Sequence, residues 1–144
     1  MKIAHLLIAA ATLLLTPFSH ATSQVQFDYM MNCQGCHLPQ GQGFPLRDVP
    51  NINGYLGKFL HVAGGREFLV QVPGSAQSDL DSERLAAVIN WMLFVFSPDE
   101  LPEDFQPYTA AEVSQLRKTP LVDVKGTRAA LVEKIQQTQV TAGK

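Results

Sequence analysis

Apolar residues recur at helical spacing most clearly between residues 81 and 96. The apolar face consists of Leu85, Val88, Ile89, Met92, Leu93 and Phe96, which follow the i, i+3, i+4 spacing of an α-helix. Asp81 or Ser82 can cap the start of this helix. Because the segment is apolar nearly all round, the pattern predicts a central helix that is buried in the core.

Shorter and weaker patterns precede this helix. Residues 24–32 predict a short helix that runs into the two cysteines of the chain. Residues 38–57 are rich in glycine and proline, which predicts an ordered loop, and loops of this length usually serve a function. Residues 55–62 predict another helix, which is broken by Gly64 and Gly65.

Two short segments complete the part of the chain before the central helix. Residues 67–72 are apolar and fit a helix or a strand equally well. Pro73 and Gly74 then predict a turn.

After the central helix the composition changes. Residues 97–104 are acidic and broken by prolines, which predicts an exposed loop. Thr109 and Glu112 form a capping-box pattern at the start of a helix that reaches about Lys118. Residues 127–137 predict a last amphipathic helix. Together the patterns predict an all-α fold without internal repeats.

The first residues have the pattern of an export signal. A lysine follows the first methionine, residues 3–15 are almost entirely apolar, and residues 19–21 offer small side chains to a signal peptidase. The apolar run is shorter than the roughly 20 residues that a membrane-spanning helix needs. We therefore expect residues 1–21 to be a cleaved signal peptide, the mature chain to lie in the periplasm, and no membrane span to remain after cleavage.

The charge of the chain argues against one class of partner. Thirteen acidic residues and eleven basic ones give a formal net charge of −2. No basic cluster is present to release counterions from a phosphate backbone, so we expect no nucleic-acid partner. The mature chain has the length of one domain and can bury a core of its own.

The candidate chemistry centres on Cys33, Cys36 and His37. Two thiols three positions apart can add to the two vinyl groups of one haem, and the adjacent histidine then points at the iron. A redox-active disulfide of the thioredoxin type would need a βαβ context, which the glycine-rich stretch does not supply. A structural zinc ion would need four ligands, and the mature chain has no further cysteine and one further histidine, His61. We predict one covalently attached haem c per chain, with His37 as the proximal ligand of its iron.

With this motif near the start of the mature chain, the sequence resembles the class I cytochrome c family. Residues 50–57 are similar to the proline loop of that family, and residues 83–92 are similar to its closing helix. The resemblance implies a small helical domain wrapped around one covalent haem over residues 22–96. Residues 97–144 then form a helical C-terminal extension packed on or near that domain.

The resemblance also implies roles for individual residues. In the family, the carbonyl of the loop proline accepts a hydrogen bond from the ligand imidazole, which makes Pro50 the candidate and Pro45 the fallback. Trp91 is expected to pack on Tyr29, as the aromatic residue of the family's closing helix packs on the first helix. The family usually has glycine one turn before that first-helix aromatic, and this chain has Val25 instead.

The sixth ligand of the iron stays open. Residues 72–74, where the family interval places a methionine, contain none. His61 and Met92 are the candidates, since Met30 and Met31 lie too close to the attachment motif to reach the opposite face of the haem. An open or water-bound iron is the third possibility.

The haem propionates need cationic or polar partners in or near the loops. Arg66 is the first candidate for this contact. Arg47, Lys58 and Tyr55 are the others.

A haem without recognisable catalytic groups predicts an electron carrier and not an enzyme. We expect redox protein partners, with a periplasmic dehydrogenase as donor and a downstream acceptor. Two alternatives stay open, namely a haem protein whose open sixth position binds or senses a small ligand, and a cytochrome subunit of a dehydrogenase complex.

Overall fold

The computed structural model describes residues 23–142, so the predicted signal peptide lies outside the described residues. The α-helices of the described residues are α1 (Gln24–Asn32), α2 (Gln34–His37), α3 (Gly65–Gln71), α4 (Pro73–Ala76), α5 (Ser82–Phe96), α6 (Ala110–Leu116) and α7 (Val124–Ala142). Short 3₁₀ helices, Pro45–Arg47, Leu56–His61 and Pro98–Glu100, lie in the connecting segments. The prediction of an all-α fold is therefore confirmed. Between residues 23 and 142, no helix combines the length and the apolar character that crossing a membrane requires.

Helix α5 is the centre of the core, as the apolar pattern predicts. Asp81 caps the helix, because its side chain accepts a hydrogen bond of 2.8 Å from the backbone N–H of Arg84. All six residues of the predicted apolar face are buried. The predicted bounds of this helix are confirmed at both ends.

Helix α1 spans the predicted residues and leads directly into the cysteines. A capping box between Ser23 and Gln26 fixes its start. Its buried face packs against α5, where the Arg84 guanidinium binds the buried carboxylate of Asp28 through two hydrogen bonds. The position of the cysteine segment is thus tied to the central helix.

The glycine- and proline-rich loop is ordered, as predicted, and contains one 3₁₀ turn and one isolated β-bridge. Backbone hydrogen bonds attach it to its surroundings at both ends. The N–H of Gly43 donates to the carbonyl of His37 at 3.0 Å, and the N–H of Gly54 donates to the carbonyl of Phe96 at 2.6 Å. The loop therefore connects the end of α2 with the end of α5.

Two local predictions need correction, and one segment left open by the sequence is helical. The segment predicted as a helix over residues 55–62 is a 3₁₀ helix, and Gly65 begins α3 instead of ending a helix. The predicted turn at Pro73 and Gly74 is wrong, since both residues belong to the one-turn helix α4. Proline is well suited to the first position of a helix, where its missing N–H would have no partner. The ambiguous residues 67–72 are helical through Gln71.

The segment after α5 is part of the same core. Ser97, predicted to be exposed, is buried, and its hydroxyl accepts a hydrogen bond of 2.9 Å from the N–H of Gly57. Tyr108 is buried as well, and its backbone N–H donates to the side chain of Asn90 at 2.8 Å. These contacts anchor the start of the C-terminal extension on α5 and on the 3₁₀ helix Leu56–His61.

The two helices of the extension also bury apolar residues. Val113 of α6 is fully buried, and Leu131 and Ile135 of α7 are nearly so. Helix α6 begins after Thr109 as predicted, but the side chain of Glu112 binds Arg66 instead of closing the capping box. Helix α7 is longer than predicted at both ends.

Candidate cofactor site

One cavity of about 330 Å³ lies between the cysteine segment, the loop, α5 and α7. This volume is in the usual range for cofactor and ligand sites. Its apolar wall is formed by Val49, Pro50, Ile52, Leu56, Phe59, Phe68, Leu69, Val72, Ile89, Met92 and Val124. Its polar lining consists of Asn32, Cys33, Cys36, His37, Asp48, Asn51, Tyr55, Ser75, Lys125 and Arg128.

The structure brings both predicted attachment residues to this cavity. Cys33 stands between α1 and α2, and the N–H of His37 donates to its carbonyl at 2.9 Å, which closes the turn that holds Cys36. The two cysteines are not joined in a disulfide. Burial raises the pKa of Cys33 to about 11, and the nearby Cys36 and Asp28 add to this effect.

His37 has the environment of a metal-binding imidazole. Burial lowers its pKa, so the ring is neutral at pH 7, which is the form that coordinates a metal. The Pro50 carbonyl partly opposes this shift, yet the buried Nδ1 makes no hydrogen bond of regular geometry. A buried ring nitrogen beside a carbonyl suits a histidine whose other nitrogen binds iron, because Nδ1 then carries the proton and can donate it to that carbonyl.

Of the two prolines considered for this contact, Pro50 lines the cavity beside His37. Pro45 begins the 3₁₀ turn of the loop and does not line the cavity. The structure therefore favours Pro50 over the fallback.

The two predicted candidates for the sixth ligand have different surroundings. Met92 lines the cavity from α5 and is only 8% exposed. His61 does not line the cavity, and its Nε2 lies 2.9 Å from the carbonyl oxygen of Glu100. Gly74 and Ser75 line the cavity from α4, and Gly74 lies within the interval where the family resemblance places a methionine. The geometry thus favours Met92 over His61 among the side chains of the chain.

Arg66, predicted to contact a propionate, is held elsewhere. Its guanidinium binds the Glu112 carboxylate at 2.5 and 2.8 Å, and it lies 4.0 Å from the centroid of the Tyr108 ring. Among the other predicted candidates, Tyr55 lines the cavity, whereas Lys58 pairs with Glu100 at 3.5 Å. The remaining candidate, Arg47, lies over the Phe44 ring and not at the cavity.

The cations that do line the cavity, Lys125 and Arg128, are missed by the sequence analysis. Both belong to α7, which the family resemblance does not cover. A signal for Arg128 was available, because it lies on the same helical face as Leu131 and Ile135. A charge on the buried face of an amphipathic helix is costly unless it is paired, so this position indicates a partner for Arg128.

Trp91 packs where the resemblance predicts, outside the cavity lining. Its ring centroid lies 5.1 Å from that of Tyr29 and 5.3 Å from that of Phe96. Its predicted contribution is therefore to the packing of α5 against α1.

Comparison with known proteins gives a consistent assignment. No family model matches the chain. Two curated relatives, both named cytochrome c-552, one from Thermus thermophilus and one from a particular strain of the same species, are each 32% identical to it over 107 residues. The aligned region covers 62% of this chain and 81% and 72% of the two relatives. The aligned region covers most of each relative, and the chain is helical with its two cysteines and His37 at one apolar cavity. The chain therefore belongs to the class I family of monohaem c-type cytochromes.

Proposed function

We propose that this cytochrome carries single electrons in the periplasm, between a dehydrogenase that donates them and a downstream protein that accepts them. As a member of its family the chain is an electron-transfer protein with haem c as cofactor. The periplasmic location and the nature of the two partners are the parts that we add. The location is supported by the export pattern of residues 1–21, and the two partners are the donor and the acceptor that an electron carrier in that compartment requires.

The observation that carries the assignment to haem chemistry is the buried, unpaired Nδ1 of His37 close to the Pro50 carbonyl at the cavity. A neutral imidazole with a buried, unpaired Nδ1 beside a carbonyl can bind iron through its other ring nitrogen. Its Nδ1–H can then donate a hydrogen bond to that carbonyl, which orients the ring. Cys33 and Cys36 line the same cavity and can hold the macrocycle covalently.

Haem c, when bound, supplies a one-electron couple between ferric and ferrous iron. The chain contributes the ligand, the covalent anchors and a cavity wall that is mainly apolar. Such a wall excludes water, and solvent exposure is one of the factors that set the reduction potential of an enclosed iron. Electron transfer needs no acid, base or nucleophile in addition.

The haem assignment is tested by expression of the full chain in a host with a cytochrome c maturation system. We expect a band that stains for haem on a denaturing gel and a redox titration that fits one electron per chain. The double variant Cys33→Ala, Cys36→Ala should lose the stained band, whereas Gln34→Ala, between the cysteines, should keep it. A colourless protein that takes up two electrons through Cys33 and Cys36 would overturn the proposal in favour of a redox-active disulfide.

The location is tested with the same stain after cell fractionation. We expect the stained band in the periplasmic fraction. Deletion of residues 3–15, the apolar run of the signal, should abolish both the band and the export. A stained band that stays with the cytoplasm would contradict the periplasmic part of the proposal alone.

A second candidate function is the binding of a small ligand at the iron. The observation in its favour is that Gly74 and Ser75 line the cavity near the position of the family's methionine, and neither residue supplies a strong iron ligand. Carbon monoxide distinguishes the two functions, since it binds a ferrous haem whose sixth position is open or weakly held. No change in the reduced spectrum on adding the gas, combined with sensitivity to the gas in Met92→Leu, would identify Met92 as the ligand and exclude the open site.

A further inference from the structure

Helix α7 contributes both cations of the cavity lining. Lys125 and Arg128 line it, whereas Arg47, Lys58 and Arg66 do not. The acidic member of the lining is Asp48, which binds Lys125 at 2.8 Å. The positive charge at the cavity therefore comes from the C-terminal extension and not from the part of the chain that resembles the family.

The packing of α7 explains why the side chain of Arg128 reaches the cavity. Val124, Arg128, Leu131 and Ile135 are separated by four, three and four positions and share one face of the helix. Leu131 and Ile135 are buried in the core, and Val124 lines the cavity. Arg128 lies between them in sequence, so its stem is held on the buried face while its guanidinium lies 5.9 Å from the centroid of the Tyr55 ring.

Arg128 has no carboxylate partner among residues 23–142. Its guanidinium lies over the ring of Tyr55, which is itself part of the cavity lining. The other partly buried arginines behave differently, since Arg66 binds Glu112 and Arg117 binds three backbone carbonyls. A half-buried guanidinium that lacks an anion, at the edge of a cavity built for a cofactor, can bind an anionic group of that cofactor.

We infer that Arg128 binds a carboxylate of the haem, with Lys125 as a second donor, so that α7 is part of the haem site. The inference rests on the proposed function, because it requires covalent haem in the cavity. Haem c carries two ionised carboxylates, and burying either one without a cation would be unfavourable. Arg128 offers the paired N–H groups that match a carboxylate, and Lys125 has three donors, of which Asp48 needs one.

The test compares three variants of the full haem-loaded protein. Arg128→Gln removes the charge, Arg128→Lys keeps a charge at the same position, and Lys134→Gln removes an exposed charge of α7 that does not line the cavity. The readouts are the midpoint potential and the propionate bending band in the resonance Raman spectrum. We expect the potential to fall and the band to shift in Arg128→Gln, because loss of a nearby cation favours the ferric state, which carries one more positive charge. Arg128→Lys should retain most of the potential, and Lys134→Gln should match the unaltered protein in both readouts.

Two control measurements distinguish failure of this inference from failure of the proposed function and from misfolding of a variant. Haem staining on a denaturing gel shows whether haem is attached, and a chain without it would overturn the proposed function itself. Circular dichroism shows whether each variant is folded. If Arg128→Gln is folded, carries haem, and matches Lys134→Gln in both potential and Raman band, the assignment of Arg128 is overturned while the proposed function stands.

Discussion

Tyr29 and Trp91 pack with their ring centroids 5.1 Å apart, and this contact joins α1 to α5. Tyr29 is also connected to the end of the attachment motif, since its hydroxyl donates a hydrogen bond of 2.6 Å to the carbonyl of Leu38. The residue after His37 is therefore held by the same side chain that contacts the central helix. Packing between two helices and the placement of His37, the proposed iron ligand, thus depend on one aromatic pair.

Replacement of Trp91 by alanine should weaken this arrangement. Deleting a large aromatic side chain from a packed site costs about 3 kcal/mol of the free energy of unfolding. We expect a loss of this order, measured by urea denaturation with circular dichroism. Val95→Ala is the matched control on the same helix, because Val95 is 50% exposed and its removal should cost less than about 0.5 kcal/mol. Equal stability of the two variants would contradict the structural role of Trp91.

The sequence predicts α1 and α5 well because their signals are local. Asp81 and the apolar spacing of α5 lie within one helix, and the capping box of α1 spans four residues. The turn predicted at Pro73 fails because proline is common both in turns and at the start of helices, and sequence alone does not choose between them. Local composition therefore predicts elements better than it predicts the short connections between them.

The proximal side of the site is predictable for the same reason, since Cys33, Cys36 and His37 are neighbours in sequence. For the cations of the cavity only part is predictable: the spacing of α7 places Arg128 on its buried face, but Arg128 is 91 positions beyond His37 and the spacing does not show which surface that face packs on. Arg66 is the converse case. It lies in the expected part of the chain, but its guanidinium is paired with the carboxylate of Glu112, 46 positions away. Long-range pairing of this kind has no signature in a single sequence.

Gly43 should control the contact between Pro50 and His37. Its φ of +69° favours glycine, and a Cβ atom at this position would lie 2.5 Å from the carbonyl carbon of Pro50 and closer still to its oxygen. Gly43→Ala therefore has to displace that carbonyl from the imidazole. In the haem-loaded protein this weakens the hydrogen bond that the His37 Nδ1–H is proposed to donate to the Pro50 carbonyl. The imidazole is then a poorer electron donor to iron, so we expect the midpoint potential to rise.

Gly54→Ala is the control for this prediction. Gly54 has nearly the same φ, +66°, but a Cβ atom there meets nothing within 4 Å. The left-handed backbone should cost each variant about 1 kcal/mol of the free energy of unfolding, and Gly43→Ala should lose more because its Cβ atom also clashes with the Pro50 carbonyl. Only Gly43→Ala should also change the potential. A potential that shifts equally in both variants would mean that backbone strain, and not the Pro50 carbonyl, is responsible.

The ion pair between buried Asp28 and the more exposed Arg84 should make the stability of the protein sensitive to acid. The Arg84 guanidinium holds the pKa of Asp28 below its usual value, so the folded state binds a proton there less readily than the unfolded chain. The stabilisation is complete above the unfolded pKa, about 3.9, and is lost as the pH falls through the lower folded value. We expect the melting temperatures of the unaltered protein and of Asp28→Asn to converge as the pH is lowered below about 4. Curves that stay parallel from pH 7 downward would contradict the linkage.

Arg117 should hold the segment between α4 and α5 in place. Its guanidinium donates to the carbonyls of Ala76, Ser78 and Leu80 at 3.1, 2.8 and 2.6 Å. The three N–H donors of lysine all radiate from one nitrogen, so they cannot match three separate carbonyls as the broad planar fork of arginine does. We expect Arg117→Lys to lose about 2 kcal/mol of the free energy of unfolding, since hydrogen bonds from a charged donor are individually strong. Urea denaturation measures this loss.

The neighbouring Lys118 provides the control for Arg117, since its ammonium group binds only the exposed side chain of Gln115. Lys118→Gln should leave the free energy of unfolding nearly unchanged.

Helix α4 ends at Ala76 and carries Gly74 and Ser75 on the cavity wall, so loosening its end should also open the cavity. We therefore expect the haem of Arg117→Lys, and not that of Lys118→Gln, to be reduced faster by dithionite. Identical reduction rates in the two variants would restrict the role of Arg117 to stability.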